Sequence, residues 1–322
     1  MSEPVWGILI AAYLFLGGMA GGAYVIGAWS DLFGKDRYKV LAKSGVYTSL
    51  ISILAGLIFL ILDLKRLTVA PFSVLNAYIH FPVSIMSVGT WIISAFTIIS
   101  LSTTIIWLMN GNRLLRKFLE ILGIVLGFST TAYTGILLSY ARGRPFWSSP
   151  FLPWLFTVSG ILTGLGLAVV GIPIIAKIMP RLDRSFPEFF EQRSEVSQMF
   201  KSIEEYSIVP TLLEIIVVAL FIGTVWSTNG SFALILGNLS TLFWMYLVIG
   251  LLVHLALSLY SHIKSVEENT IVFGSLVSFI LVFLLIFLIL ISLSSAAARF
   301  IGPPQTMQPP MLLVCFSISS AI

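Results

Sequence analysis

Apolar residues occur in long runs, separated by short polar segments, along nearly the whole chain. A helix needs about 20 apolar residues to cross a bilayer, and eight runs reach that length. They lie near residues 5–30, 44–63, 80–108, 119–141, 153–179, 207–227, 237–262 and 271–297. Solid runs favour helices, because the strands of a membrane barrel show alternating segments of about 10 residues. The pattern therefore predicts an all-α polytopic membrane protein with eight transmembrane helices.

The eight helices are expected to fold as two four-helix bundles. The first bundle takes residues 1–152, the second takes residues 153–300, and a tail that begins with a proline-broken stretch covers residues 301–322. The longest polar segment reads SFPEFFEQRSEVSQMFKSIEEYSIVPT. It is predicted to form a surface helix on the cytoplasmic side.

The composition is typical of a membrane protein and excludes several kinds of functional site. Hydrophobic residues make up 58% and charged residues 10% of the 322 positions, whereas a soluble domain carries roughly 25% charged residues. The net charge of +4 does not indicate nucleic-acid binding, because the basic residues lie between apolar runs. The single cysteine, Cys315, cannot by itself form an intramolecular disulfide, a CxxC pair or an iron–sulfur cluster. The first residues, MSEPVWG, lack a basic segment and a cleavage site, so we expect mature sequence there.

The loops differ in charge, and this difference predicts the orientation. Loops after the first, third, fifth and seventh runs hold 13 of the 18 Lys and Arg residues. Basic loops stay on the cytoplasmic side, so both termini are expected on the outer side of the plasma membrane. The opposite side holds Lys65, Arg66, Arg142, Arg144 and Arg299. These clusters indicate an anionic partner or ligand on the outer side, unless the side chains only reach the interface at helix ends.

The first run carries paired glycines, within IAAYLFLGGMAGGAYVIGAW. Gly17 and Gly21, and likewise Gly18 and Gly22, are four residues apart and therefore lie on nearly one helix face. Two interpretations are open: close helix packing through small residues, or space beside the bare backbone for a flat ligand. Tyr13 lies one turn before Gly17 and gives this face a hydroxyl group.

Ionisable and small polar residues gather where the second run ends and the third begins. Asp63 lies one turn before Arg66, which fits a local ion pair or a carboxylate that exchanges protons with a ligand. His80 either binds a ligand oxygen or caps the third helix. A small polar patch follows just inside the bilayer, formed by Ser84, Ser87 and Gly89.

Two further runs contain polar residues that a membrane helix rarely carries. Tyr133 lies in the outer half of the fourth run, about two turns before Arg142, and a buried phenol needs a hydrogen-bond partner. Glu214 lies about seven residues into the sixth run, roughly 10 Å from its start. His254, in the seventh run, is a candidate partner for Glu214 at similar depth. The two residues form either a proton route or a structural contact between helices.

No haem is expected in this chain. Two axial histidines must meet at one depth on different helices, but His80 lies at the outer end of its run, and His254 and His262 share one run in the inner half. A metal site of another kind is likewise not predicted.

Several motifs in order resemble the NrfD/polysulfide-reductase family of quinone-reactive membrane subunits. They are YLFLGGMAGGAY, LDLKR, FPVSIMSVGTW, AYTGILLSYARGRPFW and LPWLFTVSGILTGLGL, and they cover most of residues 5–170. The resemblance implies a quinone site in the first bundle near the outer surface. It also implies a four-cluster ferredoxin-like iron–sulfur subunit that docks there and a molybdopterin catalytic subunit beyond it.

The same resemblance assigns residues to the quinone site. The family's quinone-contacting tyrosine falls on Tyr133, its acidic residue on Asp63, and its RPxW arginine on Arg144. A polar position that is histidine in some members falls on Tyr13, and the small-residue patch includes Gly89. From the residues themselves, Tyr13 and Tyr133 are expected to donate to the quinone carbonyls. Asp63 and His80 are expected to exchange its protons, and Gly17 and Ser84 to line the site.

The leading hypothesis is therefore the membrane subunit of a respiratory oxidoreductase complex. It would exchange electrons between quinone or menaquinone and the iron–sulfur partner, because the chain has no redox centre of its own. The alternatives are a transporter or a proton- or ion-translocating subunit, with Glu214 and His254 as the proton route, and a plain membrane anchor.

Overall fold

The described part of the protein consists mainly of helices joined by short turns. A computed structural model describes residues 8–34, 36–63, 76–140, 149–178, 180, 183–191 and 193–226, with 248, 251, 252, 255, 256 and 259. No strand occurs within those ranges. The helices are α1 (Ile8–Phe33), α2 (Lys39–Asp63), α3 (Asn76–Ile79), α4 (Ile85–Leu108), α5 (Arg113–Ser139), α6 (Leu152–Ile178), α7 (Ser185–Glu191) and α8 (Arg193–Trp226).

Six helices are long and apolar enough to cross a membrane. They supply the segments Leu9–Phe33, Asp36–Asp63, Ile85–Leu108, Arg113–Ser139, Leu152–Ile178 and Gln198–Thr224. The first six predicted spans are therefore confirmed. The runs at 237–262 and 271–297 lie almost wholly outside the described residues, so the count of eight helices and the division into two bundles stay predictions.

Several helices begin earlier than the apolar runs indicated. Helix α2 starts five residues before its run and α5 six residues before, because both helices continue through charged residues that are paired with neighbours. Helix α8 starts at residue 193, not 207, because no glycine or proline interrupts the sequence until Pro210, which the helix accommodates. The separate surface helix predicted for this polar segment is limited to α7.

Consecutive spans run in opposite directions and define two ends of the bundle. One end contains the starts of α1, α4 and α6 and the last turns of α2, α5 and α8, and is named the Tyr133 end. The opposite end, where α5 begins, is named the Arg116 end.

Helix α1 lies at the centre of the packing and contacts α2, α5 and α6. Its glycines allow this: a Cβ on Gly22 would overlap the carbonyl oxygen of Gly160, and one on Gly21 would lie 2.6 Å from the carbonyl oxygen of Gly127. The packing interpretation is therefore correct for these two glycines. A Cβ on Gly17 would lie 4.0 Å from Thr134, which is an ordinary contact.

Replacing Gly22 by alanine is expected to destabilise the fold by about 1–3 kcal/mol, because the added methyl group forces α1 away from α6. Gly17→Ala is the matched control on the same face and should change stability little. Thermal unfolding of the purified protein in detergent, followed by circular dichroism, measures both. Equal losses in the two variants would contradict the proposed difference in packing.

Candidate functional site

Two buried tyrosines meet at the Tyr133 end. Tyr133 on α5 is 6% exposed and Tyr13 on α1 is 4% exposed. Their phenol groups are close enough to interact electrostatically. The ring of Tyr133 lies against Gly89 of α4, where a Cβ would overlap its Cζ atom. Helices α1, α4 and α5 therefore meet at these two phenol groups, and the absence of a side chain at Gly89 leaves room for the Tyr133 ring.

Small residues on α1 and α2 also lie around this pair. Gly56 of α2 lies beside Tyr13, since a Cβ there would be 3.5 Å from the Tyr13 carbonyl oxygen. Gly17 faces Thr134, whose hydroxyl donates to the carbonyl oxygen of Thr131 at 2.6 Å. Four helices therefore bring small residues and hydroxyl groups together at the Tyr133 end.

Three further predicted residues, Asp63, His80 and Ser84, lie at the same end but nearer the surface. Ser84 is the N-cap residue of α4. Its hydroxyl makes no capping hydrogen bond, and its backbone N–H donates to the His80 carbonyl oxygen at 3.0 Å. His80 is exposed and Asp63, the last residue of α2, is half-buried, and neither is without an interaction partner. Ser87 is buried, and its hydroxyl has no hydrogen-bond partner within the described ranges. Arg144 lies outside the described residues.

Glu214 is buried between α6 and α8. It is 2% exposed, and Ser159 of α6 donates its hydroxyl to Glu214 Oε1 at 2.7 Å. Glu214 lies 10 residues before Thr224, the last residue of the sixth candidate span, which corresponds to about 15 Å of helix. Its predicted depth in the bilayer stays a prediction. His254 lies outside the described residues, so a proton route through both residues stays a prediction.

The Arg116 end contains a buried charged cluster that sequence reasoning missed. Arg116 of α5 binds both carboxylate oxygens of Asp31 on α1, with its Nη2 atom 2.8 Å from Oδ2 and 3.1 Å from Oδ1. Its Nε atom lies 3.6 Å from Oε1 of Glu120, and its guanidinium lies 3.7 Å from the ring centroid of Trp107. Trp107 donates its indole N–H to Glu120 Oε1 at 3.2 Å.

A second ion pair attaches the loop before α7 to this end. Lys43 of α2 donates to both oxygens of Asp183 at 2.9 and 2.8 Å, and Tyr47 donates to Asp183 at 3.2 Å. Partial burial raises the pKa of Asp183, but hydrogen bonds from Lys43 and Ser185 lower it more, so the net pKa is below the ordinary aspartate value. Asp183 is therefore ionised at neutral pH.

The sequence held one weak signal for the charged cluster. Arg116 and Glu120 are four residues apart, which places them on one face of a helix. That spacing is also typical of exposed surface pairs, and the partner Asp31 is 85 positions away. Among the described residues, no group of three His, Cys, Asp or Glu side chains is arranged to hold a metal ion.

Comparison with known proteins places the chain in a family. The family model described as "Polysulphide reductase, NrfD" matches residues 1–295. Protein NrfD of Escherichia coli is 25% identical over 273 residues, which is 75% of this chain and 78% of that protein.

Two shorter matches carry more specific names. The C chain of the polysulfide reductase of Wolinella succinogenes is 31% identical over 193 residues, covering 54% of the present sequence and 60% of that protein. The Hdr-like menaquinol oxidoreductase integral membrane subunit of Archaeoglobus fulgidus is 24% identical over 217 residues, covering 65% of the present sequence and 54% of that protein. With six membrane-spanning helices and a family match over 1–295, the chain is an integral membrane protein that belongs to the NrfD polysulphide reductase family.

Proposed function

We propose that this protein is the quinone-reactive membrane subunit of a respiratory oxidoreductase complex. The observation that carries the proposal is the buried pair Tyr13 and Tyr133 beside Gly89 at the Tyr133 end. The name of the Archaeoglobus relative, a menaquinol oxidoreductase subunit, supports the ligand class.

The chemistry of quinone reduction explains why these residues suit a quinone-binding site. Reduction of a quinone to a quinol takes two electrons and two protons, and the two carbonyl oxygens become hydroxyl groups. The phenols of Tyr13 and Tyr133 donate hydrogen bonds to those oxygens, and the surrounding apolar helices accept the isoprenoid tail. Asp63 and His80, nearer the surface, exchange the protons with water, while Gly17, Ser84 and Arg144 complete the walls and mouth of the site.

The electrons pass to or from partner subunits. The proposed neighbour is a four-cluster ferredoxin-like iron–sulfur subunit at the Tyr133 end, followed by a molybdopterin catalytic subunit. The Wolinella relative supports a multi-subunit complex, because its name describes one of the chains of polysulfide reductase. The terminal substrate then belongs to the catalytic subunit.

The proposed orientation places the Tyr133 end on the outer side of the plasma membrane. Its support is the basic character of the Arg116 end, where Lys39, Lys43, Arg113 and Lys117 begin α2 and α5. In this proposal the two runs beyond α8 complete eight helices in two bundles.

Binding of a short-chain naphthoquinone to the purified protein tests the site directly. Gly89→Ala is expected to weaken binding at least about 10-fold, which corresponds to roughly 1.4 kcal/mol, because the new methyl group displaces the Tyr133 ring. Gly223→Ala is the matched control, since a Cβ there has no atom within 4 Å. If equilibrium titration gave Gly89→Ala the same affinity as the wild type, the quinone would not bind beside Gly89 and Tyr133.

A further inference from the structure

Glu120 is fully buried in a membrane-spanning helix, and its carboxyl group is only half satisfied. Its Oε1 atom accepts from Trp107 at 3.2 Å and lies 3.6 Å from Arg116. Its Oε2 atom has no hydrogen-bond partner in the part of the protein that the structure describes. A buried carboxylate oxygen without a donor is costly, so this atom requires an explanation.

The charges around Glu120 do not balance if every group is ionised. Arg116 is committed to Asp31 by three hydrogen bonds of 2.8–3.1 Å, and its Nε atom, which donates to Asp31 Oδ2 at 3.1 Å, also lies 3.6 Å from Glu120 Oε1. Two carboxyl groups therefore share one guanidinium. Lys43 adds no direct contact to the pair, because its ammonium group binds Asp183 and lies 5.6 Å from the Trp107 ring centroid.

The other polar group facing Glu120 is a neutral phenol. Tyr24 of α1 interacts electrostatically with Glu120, and its hydroxyl lies 2.7 Å from that of Thr103 and donates to the Leu119 carbonyl oxygen at 3.3 Å. Among the described residues, the ion pairs and hydrogen bonds of Asp31 and Glu120 contain one positive group, the guanidinium of Arg116.

We propose that Asp31 and Glu120 form a proton-binding site that holds one shared proton at neutral pH and exchanges it with water at the Arg116 end. Two buried carboxylates beside one guanidinium cannot both stay ionised, so one of them retains a proton. A proton also supplies a hydrogen-bond donor to these two carboxyl groups, because an ionised carboxylate only accepts whereas a carboxylic acid donates. Asp31 lies two residues before the end of α1, so its path to water is short.

This site is independent of the quinone proposal. It lies at the opposite end of the bundle from Tyr133, on the side where α1 ends and α5 begins. Its ligand is the proton itself, and its test needs neither quinone nor partner subunits.

Infrared spectroscopy of the full-length protein in lipid vesicles tests the proposal. The wild-type spectrum at neutral pH is expected to contain a carbonyl stretch from a neutral carboxylic acid that disappears in Glu120→Gln and persists in the exposed control Glu188→Gln. In D2O the wild-type band should shift, because the proton exchanges with solvent. A difference spectrum in which Glu120→Gln removes only a carboxylate band, or a band that does not shift in D2O, would overturn the proposal.

A second variant separates a shared proton from simple burial. In Asp31→Asn the guanidinium of Arg116 has only Glu120 to neutralise, so Glu120 should ionise and its neutral carboxyl band should vanish although the residue is still present. If burial alone protonated Glu120, the band would persist in Asp31→Asn, and that result would also overturn the shared-proton site. Asp31→Asn keeps Glu120 as a negative partner for Arg116, so this variant tests the proposal even if Glu120→Gln fails to fold.

Discussion

Replacing Tyr133 by Phe is expected to slow electron transfer between quinol and the assembled complex on the order of 100-fold, the lower range for loss of a positioned proton donor. The ring and its packing against Gly89 are retained, and only the hydroxyl is removed. Quinol-linked turnover of the purified complex measures the effect. Turnover with an artificial electron donor that bypasses the membrane subunit should not change.

Tyr24→Phe is the matched control for this experiment. Tyr24 is also a buried tyrosine whose ring lies against a glycine, here Gly123, but its hydroxyl contacts Thr103 well away from Tyr13 and Tyr133. Its loss should cost about 1 kcal/mol of stability and leave quinol turnover near the wild-type rate. Equal rates in Tyr133→Phe and wild type would exclude Tyr133 from the chemistry and leave its hydroxyl a structural group.

Replacing Arg116 by Met is expected to destabilise the protein by about 3–5 kcal/mol, the cost of removing one partner from a buried ion pair. The Asp31 side chain is 4% exposed and would lose its counter-charge, while Met keeps most of the volume and contact with Trp107. Thermal unfolding in detergent and the amount of folded protein in the membrane report this loss.

Arg113→Met provides the comparison, because Arg113 begins the same helix one turn earlier and is exposed. Its substitution should change stability by less than about 1 kcal/mol. Similar unfolding temperatures for the Arg116 and Arg113 variants would show that the buried ion pair contributes nothing to stability.

The first six spans could be predicted because a bilayer imposes a length on every apolar helix. The clustering of Tyr13, Tyr133 and Gly89 could be anticipated for a related reason. Consecutive spans run in opposite directions, so the starts of the first and third spans and the end of the fourth lie at one end of the bundle, and the motifs contain residues at these ends. Their mutual packing could not, because no local pattern states that the Tyr133 ring occupies the position of a missing Cβ at residue 89.

The charged cluster escaped prediction for the opposite reason. An apolar run ends at a charged residue, but Lys43 and Arg116 continue their helices because partners far along the sequence neutralise them. Asp31 falls just beyond the first apolar run, although it lies in the last turn of α1. The early start of α8 escaped prediction as well, since its polar first turns resemble a separate surface helix.

Helix α1 is one continuous helix that carries Tyr13 near one end and Asp31 near the other. These residues are 18 positions apart, so the rise of an α-helix separates them by about 27 Å, nearly the 30 Å thickness of the hydrocarbon core. A charge that moves from the depth of Tyr13 to the depth of Asp31 therefore crosses almost the whole transmembrane potential. Such a movement is electrogenic and is coupled to the transmembrane voltage by about 2.3 kcal/mol per elementary charge at 100 mV.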